Sequence, residues 1–400
     1  MKKFINEKAD LNNPNWNNLI KREAQIYQKE FDLRSDFERD TNRILYSKAY
    51  KRMKHKTQVF FSPTDDHICT RIEHVNHVES ISYSIANTLD LNTELTKAIA
   101  IGHDLGHAPF GHEGEKILSE ISQRDLGTYF WHEQNGLNMV DNIELLENPD
   151  SNFENMNLTY AVRDGIISHC GEVDENALKP RTEFINLDEY NSPNKYAPYT
   201  WEACVVKISD KISYIFRDIE DAISLHLLDE HLTELYDLLK YDKTKKINNS
   251  NIINTLIYDI CNNSSPEKGI CLSDEKLTLL NNMKKFNYKH IYHSIQIKYS
   301  KEYFAIIINR IYDVLNECYN GAETGNILEQ QKIFYPNLIT NFQEWIEKYW
   351  NLTNRSDSRL KNKIIFDMNN KIDYQNAIIY YIYGMTDNFA ISCYNEIIKF

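Results

Sequence analysis

Along residues 72–89, and again along 201–227, apolar side chains recur every three or four positions, while alternating apolar–polar stretches are short and few. In the first segment the apolar positions are Ile72, Val75, Val78, Ile81, Ile85 and Leu89. A period of about 3.6 lines such residues along one face of an α-helix, whereas a half-buried strand repeats every second residue. Glycine and proline, which punctuate helices, number only 12 and 9 in 400 residues. The pattern predicts an all-α protein, and a hydrophobic fraction of 42% is enough to bury a sizeable core.

Helices are also expected over 17–30, 35–55, 131–147, 156–169, 275–286, 288–319, 328–350 and 372–398. One more begins near Thr93, a candidate cap, and runs on through His103 and His107. Ser35 with Glu38 three residues later has the spacing of a capping box. A turn is expected at Pro63, and Val59-Phe60-Phe61 reads as a short strand or a buried loop. Residues 171–199, 242–252 and 262–274 read as loops and surface connections. The chain contains no internal repeat. It divides into an N-terminal extension (1–33), a catalytic core (34–240) and a helical C-terminal region packed on that core (241–400).

A formal net charge of −13 argues against a nucleic-acid coat or a membrane-surface protein, but a local basic pocket for an anionic ligand remains compatible with it. The seven cysteines form no CxxC pair and are odd in number, which fits free thiols in a reducing compartment. There is no apolar run of signal-peptide type at the start and none long enough to span a membrane. The expected location is the cytoplasm. A basic run (Arg34, Arg39, Arg43, Lys48, Lys51, Arg52, Lys54, Lys56) is interleaved with Asp36, Glu38 and Asp40, so it reads as a solvated face. Tyr46 and Tyr50 stand at helical spacing there and are expected to pack; nucleic-acid binding is not indicated.

The chemistry is concentrated in residues 99–115, IAIGHDLGHAPFGHEGE. An adjacent His103-Asp104 pair can supply an imidazole nitrogen and a carboxylate oxygen to one ion. Other helices must complete the shell. The segment RIEHVNHVES offers His74, His77 and Glu79, and spacing does not choose among them. Asp210 lies among Val205, Val206, Ile208 and Ile212, where an unpaired carboxylate would cost several kcal/mol, so it needs a metal or a cation such as Lys207, Lys211 or Lys56. Histidine and aspartate without cysteine favour Mn²⁺, Mg²⁺, Fe or Co over structural zinc. His112 and Glu115, three residues apart, can act as a proton-transfer dyad. Tyr214 and Asp218 follow Asp210 at i+4 and i+8, on its face of the helix.

These segments resemble the HD-domain deoxynucleoside triphosphate triphosphohydrolases, the bacterial dGTPase-like family that also includes the vertebrate dNTPase with a sterile-alpha-motif domain. The matching stretches are RSDFERDTNRILYSKAYKRMKHKTQVF (34–60), TRIEH (70–74), GHDLGHAPFGHEGE (102–115), HEQN (132–135), VVKISDKISYIFRDIEDAI (205–223) and YYIYGMTDNFA (380–390), in the family's order. After GMTD this chain has Asn388 where the family carries arginine.

The resemblance implies an almost wholly helical HD-domain core with additional C-terminal helices. It implies metal ligands His74, His103, Asp104 and Asp210, selecting His74 over His77, and a divalent ion, Mn²⁺ or Mg²⁺ first and Fe or Co second. His107 and His132 would face the phosphates beside the His112–Glu115 pair. Arg71, Lys211, Tyr214, Asp218 and Arg52 would contact substrate, and Tyr292 the sugar. The implied reaction is hydrolysis of dNTPs to deoxynucleoside and inorganic tripolyphosphate by a homo-oligomer, a tetramer or hexamer. The rivals are another HD-type nucleotide phosphohydrolase and a catalytically silent nucleotide-sensing subunit.

Overall fold

The computed structural model describes residues 3–26, 32–61, 67–170, 176–351 and 357–399. The order is α1 (Trp16–Leu19), α2 (Asp36–Tyr46), α3 (Lys48–Arg52), α4 (Arg71–Leu89) and α5 (Thr93–Gly102), followed by α6 (Gly111–Leu126), α7 (His132–Asn138) and α8 (Tyr160–Ser168). The 24-residue α9 (Trp201–Ser224) packs on α4 and α5, and α11 (Asn249–Asn263) and α12 (Asp274–Asn287) pack on α9. Between them α10 (Leu232–Leu239) rests on α12. The chain ends with α13 (Ile295–Glu317), α14 (Thr324–Gln331), α15 (Pro336–Ile346), α16 (Lys371–Tyr383) and α17 (Asp387–Ile398), of which α13 and α16 lie against α6. Among the described residues the only strands are a two-stranded antiparallel ribbon, Leu145–Glu147 with Phe153–Asn155, Leu146 facing Glu154. The all-α expectation holds.

The helices form where the apolar period directs. On α4, Val75, Val78, Ile81, Ile85 and Leu89 are all buried, each contributing about 1.5–3 kcal/mol, and Ile72 is partly buried. The start of α4 is fixed by Glu73, whose carboxylate accepts from the Thr70 N–H at 2.8 Å and the Thr70 hydroxyl at 3.0 Å. The apolar clusters are shared by distant parts of the chain: one joins α4 and α9 to α12, another joins α6 to α13 and α16. Among the described residues no helix is long and apolar enough to cross a membrane.

Several elements depart from expectation. The 35–55 helix breaks at Ser47, whose extended backbone lets its hydroxyl cap the Tyr50 N–H. Ser35 caps the Glu38 N–H as expected and also meets Glu94. Asn92, one residue before Thr93, caps α5 by accepting from Glu94 and Leu95. α5 stops at Gly102, so the His103–His107 stretch is a turn and not a helix. Of 17–30 only Trp16–Leu19 is helical among the described residues. The 131–147 segment passes through a π-helical turn, Met139–Ile143, into the ribbon, and 372–398 is interrupted at 384–386. Pro63 lies outside the described residues. Tyr50 packs against the core, whereas Tyr46 is 71% exposed.

Candidate active site

Three segments bring four ligand-type side chains together. α4 presents His74, the turn after α5 presents His103 and Asp104, and α9 presents Asp210. His74 Nε2 is 2.9 Å from Asp210 Oδ1 and 3.7 Å from Asp104 Oδ2. His103 Nε2 is 3.5 Å from Asp104 Oδ1 and 3.8 Å from Asp210 Oδ1. Of the three candidates on α4, it is His74 that reaches the aspartates.

The end of α5 orients the second imidazole. His103 caps that helix, and its Nδ1 is 2.6 Å from the Ala100 carbonyl. That contact fixes the ring so that Nε2 turns toward the carboxylates, the arrangement that metal-binding histidines use. His103 Nε2 is buried and makes no hydrogen bond. A buried imidazole nitrogen left unpaired costs about 1–3 kcal/mol, and an ion would offset that cost. The donor set and this orphaned nitrogen therefore fit a divalent metal.

Charge is sorted around the cluster. Burial alone would raise the Asp104 carboxyl pKa, but His107, His103 and Arg71 outweigh it and hold it well below the usual range. Arg71 donates to Asp104 Oδ2 at 2.9 Å, and His107 Nε2 is 3.0 Å from Oδ1. Asp210 is lowered to about 2, because His74 and His103 overcome the opposing effect of burial. Two of the lysines considered for Asp210 are held by other groups. Lys56 donates to the His107 and Tyr383 carbonyls, and Lys207 to the Cys170 carbonyl and the Asn194 amide.

A second group lies beside the first. Glu115 accepts from the His132 N–H at 2.8 Å, and both its oxygens are 3.1 Å from His132 Nδ1. His112 Nδ1 is farther, 3.4 Å from Glu115 Oε2. The carboxylate expected to serve His112 thus serves two imidazoles, His132 more closely. Burial opposes charge on His132, but Glu133 and Glu115 raise it well above the usual histidine range. Burial, then Arg71, push His107 well below that range.

Both groups open into a cavity of about 540 Å³. Its walls include Arg71, His74, Asp104, His107, His112, His132, Asp210, Lys211, Tyr214, Asp218 and Tyr292. The far wall is a carboxyl–phenol pair: Tyr292 Oη donates to Asp218 Oδ2 at 2.5 Å. Burial raises the Asp218 pKa to about 7, and its Oδ1 is buried with no hydrogen-bond partner. Phe110, in the cavity wall, and Gly111 after it are both left-handed, at φ 63° and 62°. A Cβ on Gly111 would stand 2.9 Å from the Gln58 carbonyl oxygen. Asp387 of the GMTD segment fastens this turn, accepting from the Thr57 and Phe110 N–H groups at 2.8 Å each.

The structure does not bring Arg52 to this cavity. The break at Ser47 turns α3 away, and Arg52 pairs with Glu144 at 2.6 Å beside a different cavity that Lys48 and Lys348 also line. His169, which sequence reasoning passed over, also lines this cavity. It caps α8 as His103 caps α5, with Nδ1 2.6 Å from the Ile166 carbonyl and a buried Nε2 that makes no hydrogen bond. Its ring centroid is 4.8 Å from that of His103. The only signal for it was a histidine closing an apolar helical run.

A family model for the HD domain matches residues 71–215, the span from Arg71 past Tyr214. A deoxyguanosinetriphosphate triphosphohydrolase-like protein of Rickettsia bellii is 30% identical over 94% of this chain and 96% of its own length. One of the same description from Caldanaerobacter subterraneus is 35% identical over 71% of this chain and 73% of its own. With this coverage and a helical fold, the chain belongs to the deoxyguanosinetriphosphate triphosphohydrolase-like family of HD-domain proteins.

Proposed function

We propose that the protein is a metal-dependent hydrolase that converts deoxynucleoside triphosphates to deoxynucleoside and inorganic tripolyphosphate. One observation carries the reading: a single cavity joins the histidine–aspartate cluster, reached through His74, Asp104 and Asp210, to His132, which Glu133 and Glu115 raise, and to Asp218, which burial raises to about 7. The first suits a phosphate and its water, the second a developing negative charge, the third a sugar hydroxyl. A divalent ion held by His74, His103, Asp104 and Asp210 supplies charge neutralisation at a phosphate oxygen and a more acidic water. Mn²⁺ or Mg²⁺ suits the donor set, with Fe or Co as alternatives.

The protein's own residues do the rest. Arg71 orients Asp104, and Lys211 with Arg71 gives the phosphate side of the cavity its positive charge. The water oxygen bonds to the α-phosphorus while the bond to the 5′-oxygen breaks. His132, protonated and steadied by Glu115, gives its proton to the leaving oxygen, and His107, which burial and Arg71 keep neutral, takes one from water. Tyr214 and Tyr292 flank the nucleoside, and Asp218 Oδ1 meets the sugar. The family resemblance supports a homo-oligomer in the cytoplasm; sedimentation distinguishes tetramer from hexamer.

The test is incubation of purified protein with each dNTP and Mn²⁺ or Mg²⁺, with products separated by anion exchange. Tripolyphosphate and deoxynucleoside in equal amounts are expected. Pyrophosphate or orthophosphate alone would overturn the reading, and absence of turnover with every metal would favour a silent nucleotide-sensing role.

A further inference from the structure

His231, Glu234 and His290 form a second concentration of ligand atoms, outside the cavity. Each offers one nitrogen or oxygen, and these atoms lie within 4.8 Å of one another. The two imidazoles lie tilted against each other, ring centroids 3.9 Å apart and planes 40° apart. His290 Nε2 lies 3.1 Å from Glu234 Oε2 yet makes no hydrogen bond. The His290 side chain is 6% exposed, so this nitrogen is a buried polar atom aimed into the cluster without a hydrogen-bond partner. Glu234 is 45% exposed, which leaves a solvent path to the group.

The supporting framework is firm on both sides. His231 closes a 3₁₀ turn and begins α10, with Glu234 on the first turn of that helix. α10 is anchored by buried Leu235 and packs on α12. His290 sits in the π-helical turn Tyr288–Tyr292 that continues α12 and leans on the Phe286 ring at 4.7 Å. π-Helical turns cost backbone geometry and are frequent at functional positions.

We propose that His231, Glu234 and His290 are a metal site, separate from the histidine–aspartate centre, for a borderline dication of the Zn²⁺ class. Two imidazoles and one carboxylate suit Zn²⁺, Co²⁺ or Ni²⁺, whereas Mg²⁺ prefers an all-oxygen shell. Three protein ligands and a solvent-facing side are the make-up of an open tetrahedral site. Lys289 Nζ, 3.5 Å from Glu234 Oε1, neutralises the carboxylate in the metal-free protein and gives way to the ion. The consequence reaches the cavity through two residues of backbone. Tyr292, at the end of the same π turn, holds Asp218, so an ion joining α10 to His290 stiffens the nucleoside wall.

The experiment uses the full chain without a polyhistidine tag, carrying Asp210→Ala to cripple the central site. Co²⁺ is titrated by visible absorption, and Zn²⁺ is then added in competition. Adding His231→Ala or Glu234→Gln is expected to remove one equivalent of Co²⁺ or weaken it at least about tenfold, since even indirect support of a ligand is worth that much. Mg²⁺ is expected not to compete. Both side chains are solvent-accessible, so folding is kept. Unchanged stoichiometry and affinity in both variants would overturn the proposal. A second arm adds Zn²⁺ to the Mn²⁺-loaded protein with Asp210 intact and measures nucleotide KM, with a shift expected that His231→Ala abolishes. Only this arm rests on the hydrolase reading; if no dNTP is turned over, the Co²⁺ titration still decides.

Discussion

His107 and His132 stack with ring centroids 4.0 Å apart and planes 23° apart, yet their environments push their pKa values in opposite directions. His132 lies against Glu115 and Glu133, His107 against Arg71 and Asp104. Two like groups separated in this way can act as acid and base at one pH.

His132→Gln is expected to lower kcat by ~10²–10⁴-fold, the range for a lost general acid, with metal content unchanged. Glu115→Gln tests the cause. His132 is raised, so its acidic form persists to higher pH than an ordinary histidine's. Removing Glu115 should shift the alkaline limb of the pH–rate profile toward lower pH. Glu133 raises His132 as well, so the double variant Glu115→Gln/Glu133→Gln completes the test, and an alkaline limb unmoved in it would exclude His132 as the group that titrates there.

Asp210→Ala is expected to lose metal and activity together, read by metal analysis after gel filtration and by turnover with Mn²⁺. Removing one partner strands His74 Nε2, now 2.9 Å from the carboxylate. Retained activity with bound metal would remove Asp210 from the ligand set.

How much of this was legible follows from what sequence periodicity can carry. Asp210, Tyr214 and Asp218 sit on one regular helix, where spacing alone aligns them, whereas His74 was separated from His77 and Glu79 only by the family resemblance. His103, Asp104 and His107 were legible as chemistry but not as geometry: the helix ends at Gly102, and a turn directs the side chains inward. His169 was not legible, because its role depends on α8 packing against α5, a contact between residues far apart in the chain. Arg52 shows the opposite case. It belongs to a matching motif, but the break at Ser47 redirects it to Glu144. Asp387 shows the same limit, since its partners Thr57 and Phe110 lie most of the chain away.

Gly106, inside the 102–115 stretch, makes a close approach to the backbone of α7. A Cβ there would stand 2.2 Å from Gly136 N and 2.3 Å from the His132 carbonyl oxygen, both backbone atoms that cannot swing aside. Gly106→Ala should therefore separate the His103–His107 turn from α7. The expected cost is about 1–3 kcal/mol or more, seen as a lower Tm, because overpacking at backbone cannot relax through rotamers. Activity should fall further than stability, since the displaced helix carries His132. An unchanged Tm would show that the two backbones can part without cost.

Asp218 links the nucleoside wall to stability. Burial raises its carboxyl from 3.8 to about 7. Between about pH 4 and 7 the native protein therefore keeps a proton that the unfolded chain has released. Where the native state binds more protons, stability falls as pH rises, so this group's contribution is lost across that window and is level above it. Asp218→Asn puts a side chain there that cannot ionise, yet its amide oxygen can still accept from Tyr292. The variant should match the parent near pH 4 and exceed it by roughly a few kcal/mol at pH 8, read by urea unfolding at pH 4, 6 and 8. Nucleotide KM should rise in the same variant, because the amide replaces the carboxyl oxygen offered to the sugar. A stability difference that does not vary with pH would show that Asp218 ionises normally inside the fold.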